Sequence, residues 1–333
     1  MSIYLRQYWP DKPTKTEKDL PGLQGRIFIV TGGAGGIGLA VATALFHANA
    51  TRVYILGRSE AAGKTAINTI KASDPPGDMT RRSAGGDDDV LKFLHLDLSD
   101  LQGIKQTAEA FLEAETRLDV IWHNAGVMAP PEGSVSKQGH ELSFATNVLG
   151  PFLLQHFLTP ILLRTADGDA APEGSVRTCW AASVEFPDPP GEDGILWDDW
   201  GLTSPNFSGL GGRSLRYVQS KWANTILAAE MAKRYPQFVS ASFNPGAIKT
   251  DLTRHAPSIL KSIQGMLSYP VRLGALTELQ AGFDAEVAEH NGCYLIPWGK
   301  IGTPLPKVVE GIEKRGSGER LWNLCDSLVK DFY

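Results

Sequence analysis

The stretch RIFIVTGGAGGIGLAVATALF, from Arg26 to Phe46, decides the fold. It begins with an apolar run rich in β-branched residues, which predicts a buried strand ending at Thr31. After the glycine-rich turn TGGAGGIG, apolar residues recur at helical spacing, at Ile37, Val41 and Leu45. The run RVYILG, residues 52–57, supplies a second strand, so this region predicts a βαβ unit.

The alternation of strand and helix continues along most of the chain. Further strands are predicted in VLKFLHLD, LDVIWHNAG, SVRTCWAAS and FVSASFNPG, and helices over 101–115, 147–163 and 214–234. CYLIPWG, from Cys293, is a candidate last strand, and a short helix is predicted near Leu321. Because the strands are almost continuously apolar, we expect an α/β fold: a single Rossmann-type doubly wound parallel sheet with helices on both faces.

Composition and charge exclude several classes of function. The formal net charge is -5 and the Lys and Arg residues are scattered, which argues against a nucleic-acid partner. Three widely spaced cysteines without a CxxC pair indicate a reduced, cytoplasmic setting. No apolar run approaches the ~20 residues of a membrane span, so none is predicted. The acidic run Asp87–Asp89 lacks further oxygen ligands at a defined spacing, so no metal site is predicted.

The glycine turn predicts a dinucleotide site, because it joins a buried strand to an amphipathic helix. Gly32 permits a sharp turn, Gly36 lets the backbone approach a pyrophosphate, and Gly38 lets the helix pack close to the strand. The helix N-terminus adds N–H groups and a positive dipole for the phosphates. The alternative interpretation is a flexible glycine-rich loop, which the flanking strand and helix disfavour.

The end of the second strand indicates which dinucleotide is bound, since the adenosine ribose lies there. An acidic side chain there would accept a hydrogen bond from the 2′ hydroxyl of the ribose, but this chain has Gly57, Arg58 and Ser59 instead. Arg58 can bind a 2′ phosphate with two hydrogen bonds. NADP(H) is therefore favoured over NAD(H), with an ordinary surface arginine as the alternative.

Tyr217 and Lys221 carry the strongest indication of chemistry. Their spacing of four, in YVQSK, puts the phenol and the ammonium on one face of a helix. A neighbouring cation favours phenolate, so the tyrosine is predicted to exchange a proton near neutral pH. Taken alone, each residue favours a structural interpretation, with Tyr217 as an amphipathic core tyrosine and Lys221 as a solvated helical lysine, but their occurrence together favours catalysis.

The motifs agree in kind and order with one family. They are TGxxxGIG at Thr31–Gly38, the pair Asp97–Leu98, NAG at Asn124–Gly126, Asn147, Ser183, YxxxK at Tyr217–Lys221, and PGxxxT at Pro245–Thr250. Over about residues 25–250 the chain resembles the short-chain dehydrogenase/reductase family, most of all its retinol-dehydrogenase-like branch and related fungal oxidoreductases. Two positions depart from the usual pattern: His123 precedes NAG, and Ala182 precedes the serine.

The resemblance implies a catalytic role for four residues. Ser183 and Tyr217 would both form hydrogen bonds with a substrate oxygen, and Tyr217 would act as the acid or base. Lys221 would hold the nicotinamide ribose and lower the pKa of the tyrosine. Asn147 would anchor a water that links the lysine to solvent, although an asparagine that opens an apolar helix is also an ordinary N-cap.

The resemblance also implies contacts with the cofactor. Asp97 would accept a hydrogen bond from the adenine amino group, although helix capping in DLSD is the alternative. The remaining positions implied in binding are Ile37, Leu98, Asn124, Ala125, Gly126, Pro245, Gly246, Ile248 and Thr250. A simple strand-to-loop turn is the alternative for the Asn124–Gly126 segment.

Two irregular segments are expected to choose the substrate. We expect residues 1–24 to form an N-terminal arm and 25–333 a single catalytic domain, with substrate-loop insertions at about 184–213 and 251–290. The first carries Phe186, Trp197, Trp200 and Phe207, and the second is rich in aliphatic residues, which indicates a hydrophobic ketone or alcohol. The alternative is that these aromatic residues anchor the loops or form a subunit contact.

The predicted function is an NADP(H)-dependent oxidoreductase that interconverts a carbonyl and an alcohol on a hydrophobic small molecule. The alternatives are non-redox chemistry, such as isomerisation or cyclisation, and a nucleotide-binding regulator on the same scaffold. The resemblance also implies a homodimer or homotetramer that pairs through the helices beginning near Asn147 and Ser214.

Overall fold

The computed structural model describes residues 5–77, 79–80, 89–168, 170–183, 188–249 and 268–333. Its strands are β1 Ile27–Thr31, β2 Arg52–Gly57, β3 Leu91–His95, β4 Val120–His123, β5 Arg177–Ala181, β6 Val239–Phe243, β7 Tyr294–Ile296 and β8 Lys300–Gly302. They form one sheet in the order β3-β2-β1-β4-β5-β6-β7-β8. All neighbouring strands are parallel except β7 and β8. The predicted α/β fold is confirmed.

Helices connect and cover the strands. The longer ones are α1 Gly36–His47, α2 Glu60–Ala72, α3 Leu101–Ala114, α4 Gly150–Ala166, α5 Gly209–Arg234, α6 Val271–Phe283, α7 Pro306–Lys314 and α8 Ser317–Val329. Shorter helical turns are Leu5–Tyr8, Glu17–Asp19, Leu142–Phe144, Ala145–Leu149, Trp197–Asp199, Pro205–Phe207, Ala285–Glu289 and Lys330–Phe332.

The sheet separates two hydrophobic cores, and β1 contributes to both. Ile27 and Ile29 pack in the core with α3, α4, α5 and α8. Phe28 and Val30 point the other way, into the core with α1, α2 and α6. All five residues of the strand are buried. A strand covered on both faces has no polar face to alternate with, which explains its continuous apolar sequence.

The order of the strands reverses between β1 and β4. The chain steps outward from β1 through β2 to β3, then returns to the other side of β1 and continues through β4, β5 and β6. The carboxyl ends of these parallel strands meet at one edge of the sheet. A ligand site is expected in the crevice at this switch point.

Three features differ from the sequence predictions. The strand in CYLIPWG is confirmed as β7, but its antiparallel partner β8 was not predicted. The helix predicted from Asn147 begins at Gly150, after a π-helical turn over Ala145–Leu149. Pro151 explains the change, because it has no N–H to donate to the Asn147 carbonyl. Helix α6 is a regular, largely buried helix within the predicted insertion 251–290.

One helical stretch, Leu142–Ala166, has the length and composition of a membrane span. However, 78% of its most apolar window is buried inside the fold. Its apolar sequence is accounted for by this burial, as in the core helix of a globular domain.

Candidate active site

The glycine turn borders a cavity of about 360 Å³ at the switch point of the sheet. Gly32 and Gly36 have φ angles of 69° and 55°, in the left-handed region that favours glycine. Among the residues predicted to bind a cofactor, those that line the cavity are Gly32, Gly36, Ile37, Arg58, Asp97, Leu98, Asn124, Ala125 and Gly126. A cavity that joins the N-terminus of α1 to the ends of β2 and β4 fits a dinucleotide.

Gly38 does not line the cavity but packs behind it. A Cβ at this position would lie 2.6 Å from Asn124 Nδ2 and 2.7 Å from the Gly32 carbonyl oxygen. Asn124 Nδ2 donates to the Thr31 carbonyl at 2.9 Å, and the Ala125 N–H donates to Thr31 Oγ1 at 3.0 Å. The NAG segment is therefore tied to the glycine turn.

Arg58 and Asp97 lie at the ends of neighbouring strands. Arg58 is exposed and follows β2, and Ser59 caps α2 by accepting a hydrogen bond from the Ala62 N–H. Asp97 Oδ1 accepts from the Ser99 N–H at 3.0 Å and from Ser99 Oγ at 2.6 Å. The N-cap of α3 is Asp100, so Asp97 braces a turn at the cavity wall rather than capping the helix.

Tyr217 and Lys221 lie on α5 at the carboxyl end of β5. Both are buried, with 8% and 5% of their surface exposed, so Lys221 is not a solvated helical lysine. Lys221 Nζ lies 5.9 Å from the centre of the tyrosine ring and donates to the Ala181 carbonyl at 3.0 Å. The Ser183 side chain lies close enough to the Tyr217 hydroxyl to lower the pKa of the tyrosine. The structure thus brings the three predicted catalytic side chains of Ser183, Tyr217 and Lys221 together.

Burial shifts the pKa of both side chains so that the uncharged form of each is favoured. It raises the pKa of Tyr217, and the nearby Ser183 side chain only partly opposes this. It lowers the pKa of Lys221 to about 8, with a smaller opposing effect from Glu278. The pKa of Tyr217 is therefore raised in this structure, with loss of hydration as the largest cause, whereas the sequence analysis expected Lys221 to lower it.

Asn147 lies inside the π-helical turn and is not an N-cap. Its Oδ1 accepts from the Val127 N–H at 2.8 Å, and its Nδ2 donates to the Val127 carbonyl at 3.0 Å and to Ser220 Oγ at 2.9 Å. A Cβ on Gly126 would lie 2.9 Å from Asn147 Oδ1 and 3.5 Å from Lys221 Nζ. Asn147 therefore joins the NAG segment to the helix that carries Tyr217 and Lys221.

The segment after β6, which was predicted to hold the nicotinamide, is not among the residues that line the cavity. Gly246 has a φ of 89°, and its N–H donates to Asn244 Oδ1 at 2.9 Å. Ile248 is nearly buried and forms an isolated bridge with Tyr269. Pro245 begins this turn, whereas Thr250 lies outside the described residues.

His123 is packed and hydrogen-bonded in the core. Its Nε2 pairs with Gln155 Oε1 at 2.9 Å, and its ring stacks on Trp180 at 4.3 Å. Complete burial lowers the pKa of the imidazole to about 4, so it is neutral at physiological pH. Because it lies in the core beneath the site, we assign His123 a structural role.

The aromatic residues of the first predicted insertion do not all have the same position. Trp197 donates from Nε1 to the Asp193 carboxylate at 2.9 Å, and Trp200 packs on Phe144 at 5.0 Å between ring centres. Both therefore anchor the loop, in agreement with the alternative interpretation. Phe207 closes a short turn, and Phe186 lies outside the described residues, together with Asp87, Asp88 and the aliphatic segment 251–267.

Two buried polar residues at the site were missed from the sequence. Glu278, on α6, is 0% exposed, and neither carboxyl oxygen has a hydrogen-bond partner among the described residues. Burial raises its pKa to about 8, with Lys221 opposing the shift. The sequence feature that could have revealed Glu278 is its place as the single acidic residue within the apolar run GALTELQAGF. Gln7, from the N-terminal arm, is 1% exposed, and nothing in its local sequence distinguishes it.

Comparisons with known proteins agree with this geometry. The family model described as short chain dehydrogenase matches residues 26–176. A short-chain dehydrogenase/reductase of Armillaria gallica is 35% identical, over 98% of both chains. Two solved structures cover less of the chain. The Pseudomonas aeruginosa RhlG/NADP active-site complex has a TM-score of 0.59 and 25% identity, covering 83% of this chain and 95% of that one. The Brucella melitensis 3-ketoacyl-(acyl-carrier-protein) reductase complexed with NADH has a TM-score of 0.57 and 18% identity, covering 82% and 96%.

Proposed function

Because the chain belongs to the short-chain dehydrogenase/reductase family, we propose that it is an NADP(H)-dependent oxidoreductase that interconverts a carbonyl and an alcohol on a small hydrophobic molecule. One observation carries the proposal: the buried cluster of Ser183, Tyr217 and Lys221 lies beside a cavity that begins at the glycine turn. A proton donor beside a dinucleotide cavity is what carbonyl reduction requires.

The residues of the cluster would divide the work on the substrate oxygen. Tyr217 is the acid in reduction and the base in oxidation, and the Ser183 hydroxyl donates a second hydrogen bond to the same oxygen. The bound nicotinamide would supply or accept the hydride. Lys221, held by the Ala181 carbonyl, stabilises the phenolate that remains after proton donation. Because burial raises the pKa of Tyr217, the phenol is protonated at neutral pH and can act as the acid in reduction.

Asn147 would complete a route for protons to Tyr217. Since Pro151 cannot donate to the Asn147 carbonyl, that oxygen is free of the usual helical bond and can hold a water near Lys221. The side chain of Asn147 is meanwhile fixed by Val127 and Ser220. Substitution at this position should slow proton resupply rather than abolish hydride transfer.

The preference for NADP(H) rests on Arg58 and on the lack of an acidic residue after β2. Arg58 is exposed at the cavity wall, where its guanidinium can bond a 2′ phosphate. The NADP complex of the Pseudomonas aeruginosa relative supports this choice, and the NADH complex of the Brucella melitensis protein supports the other. The hydrophobic substrate rests on the aliphatic sequence of 251–267. We also propose a cytoplasmic location, from the cysteine content.

The proposal is tested by following NADPH absorbance with a panel of hydrophobic ketones and aldehydes. Tyr217→Phe should lower turnover by roughly 10²–10⁴-fold while leaving NADPH binding intact, because only the proton donor is lost. Tyr235→Phe is the matched control: this tyrosine follows the far end of α5 and stacks on Phe238. Product formation without net NADPH oxidation would replace the proposal with non-redox chemistry, and NADPH binding without any product would indicate a regulator.

A further inference from the structure

The N-terminal arm enters the site through Gln7. Although it lies in a four-residue helix outside the sheet, Gln7 is almost fully buried. Its Oε1 accepts hydrogen bonds from Asn244 Nδ2 at 2.7 Å and from the Tyr294 hydroxyl at 3.0 Å. A buried amide with two such partners is a built contact rather than a surface association.

Each partner of Gln7 reaches one side of the proposed active site. The Tyr294 hydroxyl also lies 3.1 Å from the Ser183 carbonyl oxygen, which follows β5. Asn244 Oδ1 accepts from the Gly246 N–H at 2.9 Å, in the turn that follows β6. One glutamine therefore connects the strand end that carries the serine with the turn predicted to hold the nicotinamide.

Further contacts hold the arm in place along α6 and the turn before it. Glu17 is 2% exposed and pairs with Arg272 through two bonds of 2.7 Å. Lys15 pairs with Asp284 at 2.5 Å. The Tyr8 carbonyl accepts from the Tyr269 hydroxyl at 3.3 Å. These anchors, which all follow Gln7 in the chain, fix the depth to which its side chain enters.

The backbone of Tyr269, whose hydroxyl contacts Tyr8, extends this connection to the base of the second insertion. The Tyr269 N–H donates to the Ala247 carbonyl at 2.7 Å, and the Lys249 N–H donates to the Tyr269 carbonyl at 3.1 Å. Through Tyr269 the arm is thus connected to two paired segments, 247–249 and 268–270, which flank residues 250–267.

We propose that Gln7 is a positioning residue of the active site, which fixes the Ser183 and Gly246 segments relative to each other. This inference rests on the proposed function, since it assigns those two segments to catalysis and to nicotinamide binding. Gln7 touches no reacting atom. It acts through Tyr294 and Asn244, and small displacements of positioned groups slow an enzyme strongly.

The test compares purified full-length variants in NADPH-dependent reduction. Gln7→Leu keeps the volume but removes the acceptor, and should lower kcat by ~10–100-fold. Gln7→Glu retains an acceptor for both partners and should recover most of that loss above neutral pH. Lys12→Ala, an exposed change on the same arm, should leave kcat unchanged. A purely structural role would lower the melting temperature of Gln7→Leu without changing the kcat of its folded fraction, and that result would overturn the inference.

Tyr294→Phe provides a second route if Gln7→Leu does not fold. It removes one hydroxyl from the same connection, so it should also lower kcat, whereas Gln7→Glu should retain most of the wild-type kcat above neutral pH. Unchanged kcat in Tyr294→Phe would contradict the inference. The two proposals fail differently: a wild-type protein without NADPH binding or turnover overturns the proposed function and the inference with it, whereas an active wild type matched by Gln7→Leu overturns the inference alone.

Discussion

Replacing Glu278 by glutamine should change how the stability of the protein depends on pH. The carboxyl is fully buried on α6, without a hydrogen-bond partner among the described residues. The ionisable groups that interact with it are Lys221 on α5 and the Cys179 thiol on β5. Glutamine has nearly the same shape but carries no titrating proton, so the comparison isolates the effect of ionising the carboxyl.

The sign and size follow from the pKa of Glu278. Burial raises this pKa from 4.5 to about 8. Between these values the folded protein keeps a proton that the unfolded chain releases, so the free energy of unfolding falls as pH rises. Each pKa unit corresponds to about 1.36 kcal/mol, which gives a loss on the order of 5 kcal/mol by pH 8 to 9. Glu278→Gln should not show this loss.

Lys221 contributes in the opposite direction at higher pH. Its pKa falls from 10.5 to about 8 on burial, so between these values the unfolded chain holds a proton that the folded protein has released. The free energy of unfolding therefore rises with pH over this range. The two residues together should give the wild type a stability minimum near pH 8. In Glu278→Gln the opposing carboxylate is absent, so the pKa of Lys221 should fall further and the alkaline limb of kcat/KM should move to lower pH.

Urea denaturation from pH 5 to pH 10 measures the effect. The unfolding free energies of wild type and Glu278→Gln should differ by a constant near pH 5 and should separate in favour of the variant as pH rises to 8. Glu289→Gln, an exposed change on the helical turn after α6, is the matched control and should follow the wild type at every pH. Parallel curves for wild type and Glu278→Gln would refute the reasoning, since they would mean that the carboxyl does not titrate over this range.

Three further predictions concern the cofactor, the glycine turn and the oligomeric state. Arg58→Ala should weaken NADPH binding by about tenfold or more, the loss of a charge-assisted pair, and leave NADH binding unchanged in fluorescence titrations. Gly38→Ala should lower the free energy of unfolding by about 1–3 kcal/mol through overpacking against Asn124, whereas Gly103→Ala, inside α3 with its nearest neighbour at 3.7 Å, should be neutral or stabilising in the same denaturation assay. Light scattering should give the mass of one chain, contrary to the pairing implied by the family resemblance, because α8 covers α4 and α5, with Trp322 edge to face against Phe152 and its ring beneath Arg234; the mass of a dimer would contradict this.

The local sequence predicted those parts of the molecule that depend on nearby residues. The strand RVYILG is β2 without a change of boundary, and Ser59 caps α2 as expected. The Tyr217–Lys221 spacing places both side chains on one helix face, because helical geometry needs no tertiary information. The same applies to Gly32 and Gly36, whose positive φ angles follow from the turn itself.

The remaining features depend on contacts between distant segments. To predict the π-helical turn around Asn147, the position of Pro151 has to be considered together with the fold. The direction of the pKa of Tyr217 depended on burial, which the spacing of four residues does not contain. The aromatic residues of the first insertion looked like substrate contacts, yet Trp197 finds its partner in Asp193 and Trp200 finds its partner in Phe144.

The residues that the sequence did not reveal share a location in the chain. The recognisable motifs lie between residues 25 and 250 and supply the reacting groups, whereas Gln7 and Glu278 come from the flanking segments. Gln7 connects the ends of two strands, and Glu278 adds a carboxyl that opposes the lowered pKa of Lys221. Since neither contacts the substrate oxygen in the proposed mechanism, substitutions there should alter kcat and the pH profile while the reaction itself stays the same. In the proposed mechanism the motifs therefore determine which chemistry occurs, and we expect the flanking segments to set the pH range and the rate at which it occurs.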